Sequence, residues 1–224
     1  MPDPLILNAL LIFYVMLAVW AVSVALRDAS IIDPVWGLGF VIVAVQAARR
    51  REEELSDLET LLVVMTVLWG LRLFLYLLWR KSKEPHEDYR YRSMREHWGE
   101  RFWWVSLITV FLLQGAIMWG ISLPIQTALR EANPPSTASQ ALAWVAVAVW
   151  AIGLFFETVG DWQLARFKAE PANDGRVLDT GLWRYTRHPN YFGDFCVWWG
   201  LWGVAMHCGA PGWTVVSPAA MSVV

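Results

Sequence analysis

Apolar runs divide this chain, and most of them are long enough to cross a lipid bilayer as a helix. A helix needs about 20 residues to span the hydrocarbon core. The runs cover residues 5–26, 34–48, 58–79, 102–123, 140–164 and 189–208, and another begins near residue 212. The sequence therefore predicts an all-α fold, a polytopic transmembrane helix bundle of about seven spans that forms a single integral membrane domain over residues 1–224.

The composition excludes most soluble classes of protein. Apolar residues make up 57% of the chain and charged residues only 17%, whereas about 25% of a typical soluble domain is charged. The 16 tryptophans add large apolar surfaces that a soluble domain of this size has no room to bury. A net charge of -2 also offers no basic surface for nucleic acid.

The distribution of basic residues predicts an orientation. Residues 27–33, 80–101 and 165–188 contain 13 of the 18 lysines and arginines, whereas residues 49–51 and 130 contain 4. Because cytoplasmic loops carry an excess of Lys and Arg, we expect the N-terminus outside and the larger loops in the cytoplasm, with a bacterial inner membrane as the default location.

Residues 131–139 are interpreted as an outer turn. Residues 213–224 are too short for a span, so we expect the chain to be cut short within its last helix.

The most distinctive motif lies between the fifth and sixth runs. Residues 181–194 read Gly-Leu-Trp-Arg-Tyr-Thr-Arg-His-Pro-Asn-Tyr-Phe-Gly-Asp. Pro189 suits the first turn of a helix, and the free N–H groups and dipole at a helix start favour an anion. Upstream, Glu157 and Asp161 share a helix face, and acids within a span usually face the protein interior or a water-filled cavity. The pattern predicts a polar pocket; a basic cluster that contacts anionic lipid is the alternative.

The residues of this region resemble a known superfamily. The matching positions are Glu157, Asp161, Phe167, Lys168, Pro171, Gly181, Leu182, Trp183, Tyr185, Arg187, His188, Pro189, Asn190, Tyr191, Gly193, Asp194, Trp198, Trp199 and Gly200. Residues 155–200 resemble the C-terminal core of the steroid 5-alpha-reductase and sterol C14-reductase superfamily. The whole chain is similar to its bacterial branch, the membrane proteins grouped as DUF1295.

The resemblance implies an enzyme, an oxidoreductase that uses NADPH to reduce a carbon–carbon double bond of a steroid-like or other lipophilic substrate. It implies substrate-side spans over residues 1–130 and a cofactor-binding core over residues 140–224. A last helix with a basic cytoplasmic tail would close the cofactor site. The implied NADPH-binding residues are Asp161, Arg166, Lys168, Tyr185, Arg187, His188, Asn190, Tyr191 and Asp194.

Two other functions stay open. The shorter signature Arg-His-Pro-x-Tyr-x-Gly at residues 187–193 also resembles isoprenylcysteine and phospholipid methyltransferases, in which the pocket holds S-adenosylmethionine. Asn190 and Asp194 look more like the reductases. A non-catalytic lipid-binding membrane protein is the third possibility. The four histidines show no metal-ligand spacing, so no metal is expected.

The catalytic residues are predicted less directly. In the 5-alpha-reductases, which the chain resembles, a carboxylate on the second span and a tyrosine on the third polarise the substrate carbonyl. Asp33 is the nearest candidate acid, although Asp33-Pro34 also fits a helix N-cap followed by proline. Trp69 stands where the tyrosine is expected, so Tyr76 or Tyr191 would donate the proton. Arg72 lies within a span and needs a partner, for which Glu157 or Asp161 is the hypothesis.

Overall fold

The computed structural model describes residues 3–84, 86–130 and 140–223, and these ranges contain helices and no strand. The chain forms two compact units, Met1–Ala132 and Asn133–Val224. The outer turn expected at residues 131–139 lies outside the described residues.

The first unit contains seven α-helices in its described part. They are α1 (Pro4–Leu26), α2 (Ile32–Arg49), α3 (Asp57–Lys83), α4 (Tyr89–Trp98), α5 (Phe102–Ser106), α6 (Leu113–Ile121) and α7 (Leu123–Ala128). Short 3-10 helices precede α2 at Ala29–Ile31 and α5 at Gly99–Arg101. A π-helix, Leu107–Leu112, joins α5 to α6.

The second unit is built on two long helices. These are α8 (Gln140–Lys168) and α9 (Pro189–His207), and they are followed by the short α10 (Val216–Met221). The segment between α8 and α9 contains 3-10 helices at Pro171–Asn173 and Gly181–Arg184, and another precedes α10 at Gly212–Val215.

Five helical stretches of the described chain are long and apolar enough to cross a membrane, as an integral membrane protein requires. They are Pro4–Leu26, Ala29–Arg49, Asp57–Lys83, Tyr89–Ile121 and Gln140–Lys168. The sixth expected run is helical as α9, but its tryptophans and Asp194 lower its hydropathy and it is not one of the five. Residues after 212 form only short helices within the described range, so the number of about seven spans stays a prediction.

Large apolar side chains on these helices point away from the protein. The exposed fraction is 64% for Tyr14, 59% for Leu75 and 58% for Trp144. Such surfaces are unfavourable in water but suit contact with acyl chains, which agrees with a lipid bilayer as the surroundings of the helices.

Helix starts follow the local sequence rules. The Asp3 carboxylate accepts a hydrogen bond from the Leu5 N–H at 2.9 Å, and Pro4 begins α1. At α3, Ser56 and Glu59 form a capping box, in which each side chain accepts from the other residue's N–H. Pro189 is the first residue of α9, as its position in the motif predicted.

Glycines bring helix backbones into direct contact in both units. A Cβ on Gly37 of α2 would lie 2.3 Å from the Gly70 carbonyl oxygen of α3. In the second unit, a Cβ on Gly153 of α8 would lie 2.5 Å from the Gly193 oxygen of α9. Because real Cβ atoms do not approach so closely, only glycine permits these helix crossings, a device common between membrane helices.

Candidate functional site

The residues of the distinctive motif lie around the C-terminal half of α8 and the start of α9. Glu157 and Asp161 are buried, with 4% and 7% of their surfaces exposed. Glu157 lies against α9, since a Cβ on Gly193 would be 2.7 Å from both its Cγ and its backbone nitrogen. Both acids are therefore buried, as expected of acids within an apolar span, and the polar pocket stays a prediction.

The segment before α9 is fixed to α8 by two hydrogen bonds. The Leu182 N–H donates to Gln163 Oε1 at 3.0 Å, and Trp183 Nε1 donates to the Gly160 oxygen at 3.1 Å. Gly181 has a φ of +63°, which permits the tight turn that presents Leu182 to Gln163. The approach to α9 is thereby held in one place by α8.

The start of α9 presents polar groups that the described residues leave unsatisfied. No described side chain caps this helix, and the buried Oδ1 of Asn190 has no hydrogen-bond partner in the described chain. An unpaired buried acceptor is costly, so a ligand with an N–H or O–H group fits this position. Asp194 lies one turn further on the helix and is half-buried.

Aromatic and basic side chains surround the same helix start. The rings of His188 and Tyr191 are stacked with centroids 5.1 Å apart. Tyr191 is 65% exposed and Tyr185 is 83% exposed. Arg187 is also exposed. These groups are open to a ligand with an aromatic ring or a phosphate.

Two open grooves lie beside the C-terminal end of α8. One, of about 580 Å³, is lined by Arg166 together with Trp162 and Gly181. The other, of about 440 Å³, is lined by Lys168, Asp174 and Arg176. Two of the basic residues predicted to bind the cofactor, Arg166 and Lys168, thus line grooves beside the segment that leads to α9.

In the first unit, Asp33 belongs to a chain of hydrogen bonds. Its Oδ1 accepts from the Tyr91 hydroxyl at 2.7 Å, and its Oδ2 accepts from Arg90 Nη2 at 2.9 Å. Gln114 Nε2 donates to the Tyr91 oxygen at 3.3 Å, and Trp36 Nε1 donates to Gln114 Oε1 at 2.5 Å. The interpretation of Asp33 as an N-cap is wrong, because α2 begins at Ile32 and the carboxylate reaches across to α4.

The space next to Asp33 is small. A cavity of about 30 Å³ is lined by Ser30, Asp33, Arg80, Lys81 and Asp88. It has room for about one water molecule but not for a lipophilic substrate.

Tyr76, the other catalytic candidate of this unit, is half-buried. The guanidinium carbon of Arg72 lies 5.6 Å from the centre of the Tyr76 ring. The pairing of Arg72 with Glu157 or Asp161 stays a prediction.

A second polar cluster lies where α1 ends. Asp28 Oδ2 lies 2.6 Å from Lys81 Nζ, and Ser30 donates to Asp28 Oδ1 from its N–H and hydroxyl. Glu87 accepts two hydrogen bonds from Arg95, at 2.8 and 2.9 Å, and one from the Ala29 N–H. Burial raises the pKa of Asp28, but the hydrogen bonds from Lys81 and Ser30 outweigh it and hold the pKa below 3.8.

The sequence did not identify Tyr91 as the partner of Asp33 or Gln114 as the partner of Trp36. These two pairs are separated by 58 and 78 residues along the chain, so they carry no local signal. The available hint was that Gln114 lies within the apolar run 102–123, where a polar group needs a partner. Within the described residues, no group of three His, Cys, Asp or Glu side chains is placed to hold a metal ion.

Comparisons with known proteins give a family but no reaction. The family model described as "Protein of unknown function (DUF1295)" matches residues 19–224. The chain is 25% identical over 252 residues to a Schizosaccharomyces pombe protein named "Uncharacterized protein C594.04c", an alignment that covers 95% of this chain and 68% of the yeast protein. No solved structure matches the chain significantly.

Proposed function

Because the chain belongs to the DUF1295 family, whose model matches residues 19–224, we propose that it performs the reaction of the reductases that its motif resembles. The proposed function is an NADPH-dependent membrane oxidoreductase that reduces a carbon–carbon double bond of a steroid-like or other lipophilic substrate. The buried, unpaired Oδ1 of Asn190 at the uncapped start of α9 is the observation that carries this proposal.

The donor groups of this region fit a dinucleotide. Free N–H groups at the start of α9 and the exposed Arg187 suit a phosphate, and Asn190 Oδ1 suits an amide or hydroxyl donor. The stacked rings of His188 and Tyr191 offer a flat aromatic surface. The residues proposed to hold NADPH are Asp161, Arg166, Lys168, Tyr185, Arg187, His188, Asn190, Tyr191 and Asp194.

NADPH, when bound, supplies a hydride, and the protein's residues must orient it, exclude water and provide a proton. Tyr191 is the proton donor we favour, because its hydroxyl is exposed beside the motif. Asp33 fits this task less well, since its carboxylate already accepts two hydrogen bonds. Tyr76 lies against Arg72 and remains the second candidate for the proton donor.

The proposal includes the arrangement in the membrane. We place the N-terminus outside, the cofactor residues on the cytoplasmic side and the chain in a bacterial inner membrane with about seven spans. The excess of Lys and Arg in residues 80–101 and 165–188 supports this orientation.

A methyltransferase that uses S-adenosylmethionine is the second candidate. The signature that it shares, Arg187 to Gly193, lies at the start of α9. The glycine of that signature is accounted for by packing, because a Cβ there would be 2.7 Å from the Gly153 oxygen. Asn190 and Asp194 are the residues that favour the reductase.

Calorimetric titration of the detergent-purified chain tests the proposal. NADPH, NADH and S-adenosylmethionine are titrated in parallel into the wild type, the Asn190→Ala, Asp194→Ala double variant and the control Asp179→Ala, which changes an exposed acid. We expect saturable binding of NADPH that the double variant loses and the control keeps. Binding of S-adenosylmethionine alone would replace the reductase with the methyltransferase. Binding of none of the three would favour a non-catalytic lipid-binding protein.

A further inference from the structure

A pocket lined by residues of the first unit has the chemistry of a lipid headgroup site, and none of the residues assigned to the cofactor lines it. It has a volume of about 520 Å³ and opens between the C-terminal end of α1 and the residues around α5. The residues that matter for its chemistry are Ser23, Arg27, Arg95, Glu100, Phe102 and Trp103.

The residues around the pocket are those expected where a membrane meets water. α1 is apolar along its length and ends at Leu26, and the ion pair between Asp28 and Lys81 follows at once. The rings of Trp20 and Trp103 lie 6.3 Å apart, and Trp20 Nε1 donates to the Trp103 oxygen at 2.7 Å. Tryptophan is enriched at the depth of the lipid headgroups, so the pocket faces that layer.

One positive and one negative group are left to face this pocket. Arg95 is bound by Glu87 at 2.8 Å, and its guanidinium carbon lies 4.5 Å from the centre of the Phe102 ring. Arg27 and Glu100 are both exposed, and neither forms an ion pair with any residue that the structure describes. A ligand that carries both charges would satisfy the two groups together.

The backbone at Arg27 supports a role for its side chain. Arg27 ends α1 with a φ of 54°, and it is the one non-glycine residue with positive φ among those described. Glycine or asparagine suits this conformation better than arginine. A strained arginine at the mouth of a pocket points to a function for the guanidinium.

We propose that this pocket binds the headgroup of phosphatidylethanolamine. Arg27 binds the phosphate, and Glu100 accepts hydrogen bonds from the primary ammonium group. Val24 and Trp103 contact the glycerol and the upper acyl chain, since 40% and 54% of their surfaces are exposed. Phosphatidylcholine lacks N–H donors for Glu100, and phosphatidylglycerol lacks the positive charge, so both are expected to bind less well.

Native mass spectrometry of the delipidated, detergent-solubilised chain tests this site. Phosphatidylethanolamine, phosphatidylcholine and phosphatidylglycerol are added at equal concentration, and the bound fraction of each is measured. We expect phosphatidylethanolamine to be retained about fivefold over the other two, which corresponds to one charge-assisted hydrogen bond of about 1 kcal/mol. Arg27→Gln is expected to reduce retention of every phospholipid. Glu100→Gln is expected to abolish the preference for phosphatidylethanolamine over phosphatidylcholine.

The matched controls are Arg101→Gln and Glu96→Gln, which make the same changes of charge at exposed residues close along the chain that do not line the pocket. Equal retention of the three lipids by the wild type, or equal losses in the controls, would overturn the proposal, as would a preference for phosphatidylglycerol. Arg27→Lys guards against misfolding, because it keeps the charge and is expected to keep the lipid preference.

Discussion

Asp33 shows how one half-buried carboxylate can join two helices. It lies in the first turn of α2, and its two oxygens accept hydrogen bonds from Tyr91 and Arg90 of α4. The neighbouring cavity of about 30 Å³ admits water but not a substrate. We therefore regard Asp33 as a positioning residue, which holds α4 against the start of α2.

Replacing Tyr91 with phenylalanine tests this role. The ring is 95% removed from solvent, so Tyr91→Phe keeps the packing and deletes the hydroxyl that bridges Gln114 and Asp33. We expect a loss of about 1 kcal/mol, because a half-buried acceptor loses one of its two donors. Thermal unfolding in detergent measures the change. Tyr89→Phe, at a residue that is 76% exposed, is the control and should leave the midpoint unchanged.

Asp28 predicts a dependence of stability on pH. Its pKa is lowered in the folded protein, because the hydrogen bonds from Lys81 and Ser30 outweigh the effect of burial. The stabilisation is therefore complete at pH values above the pKa of an aspartate in the unfolded chain, about 3.9. It is lost as the pH falls through the lower pKa that Asp28 has in the folded protein. The thermal unfolding midpoint, measured at a series of pH values from 7 to 3, should decrease once the pH drops below about 4. Asp28→Asn should reduce that fall, and an identical pH profile in this variant would contradict the assignment.

At the scale of elements, the sequence predicted most helices and few of their contacts. Apolar runs and start signals such as Pro189 are local, so they place α1, α2, α3, α8 and α9 close to their observed bounds. The contact of Gly153 with Gly193 joins residues on different helices, and no local pattern states which glycines meet. In the candidate site, the polar face of Glu157 and Asp161 was predictable from their spacing, whereas the unpaired Asn190 oxygen was not.

The crossing of α8 and α9 should tolerate no side chain at Gly153. Gly153→Ala would place a methyl group 2.5 Å from the Gly193 oxygen and force the helices apart. We expect a loss of about 1–3 kcal/mol, measured by thermal unfolding, together with weaker NADPH binding if the proposed site is correct. The control is Gly120→Ala in α6, where an added Cβ would meet nothing within 4 Å apart from its own stretch of helix. Helix propensity predicts that this control gains up to about 1 kcal/mol.

At the scale of the whole molecule, the chain combines two compact units with an uneven distribution of charge. The excess of basic residues in 80–101 and 165–188 favours the same side of the membrane for both segments. Apolar side chains such as Leu75 and Trp144 provide the lipid-facing surface. Neither property depends on the reaction, so the arrangement in the membrane can be tested separately from catalysis.

Cysteine labelling in intact cells tests the orientation. Both native cysteines are buried, so new cysteines at exposed Glu53, Arg92 and Arg176 report on their own loops. A membrane-impermeant maleimide should label Glu53→Cys in intact cells, and it should label Arg92→Cys and Arg176→Cys only after lysis. The opposite pattern would invert the proposed topology and put the residues assigned to NADPH outside the cell.

The π-helix at Leu107–Leu112 has a consequence for the side chains that follow it. A π-turn holds one residue more than an α-turn. The extra residue rotates everything that follows by about 100°, and Gln114 is the second residue after it. A regular α-helix of the same segment, one residue shorter, would turn Gln114 away from Trp36 and Tyr91. Deleting one residue from this segment should therefore give a regular helix in which the hydrogen bonds that connect Gln114 through Tyr91 to Asp33 are broken.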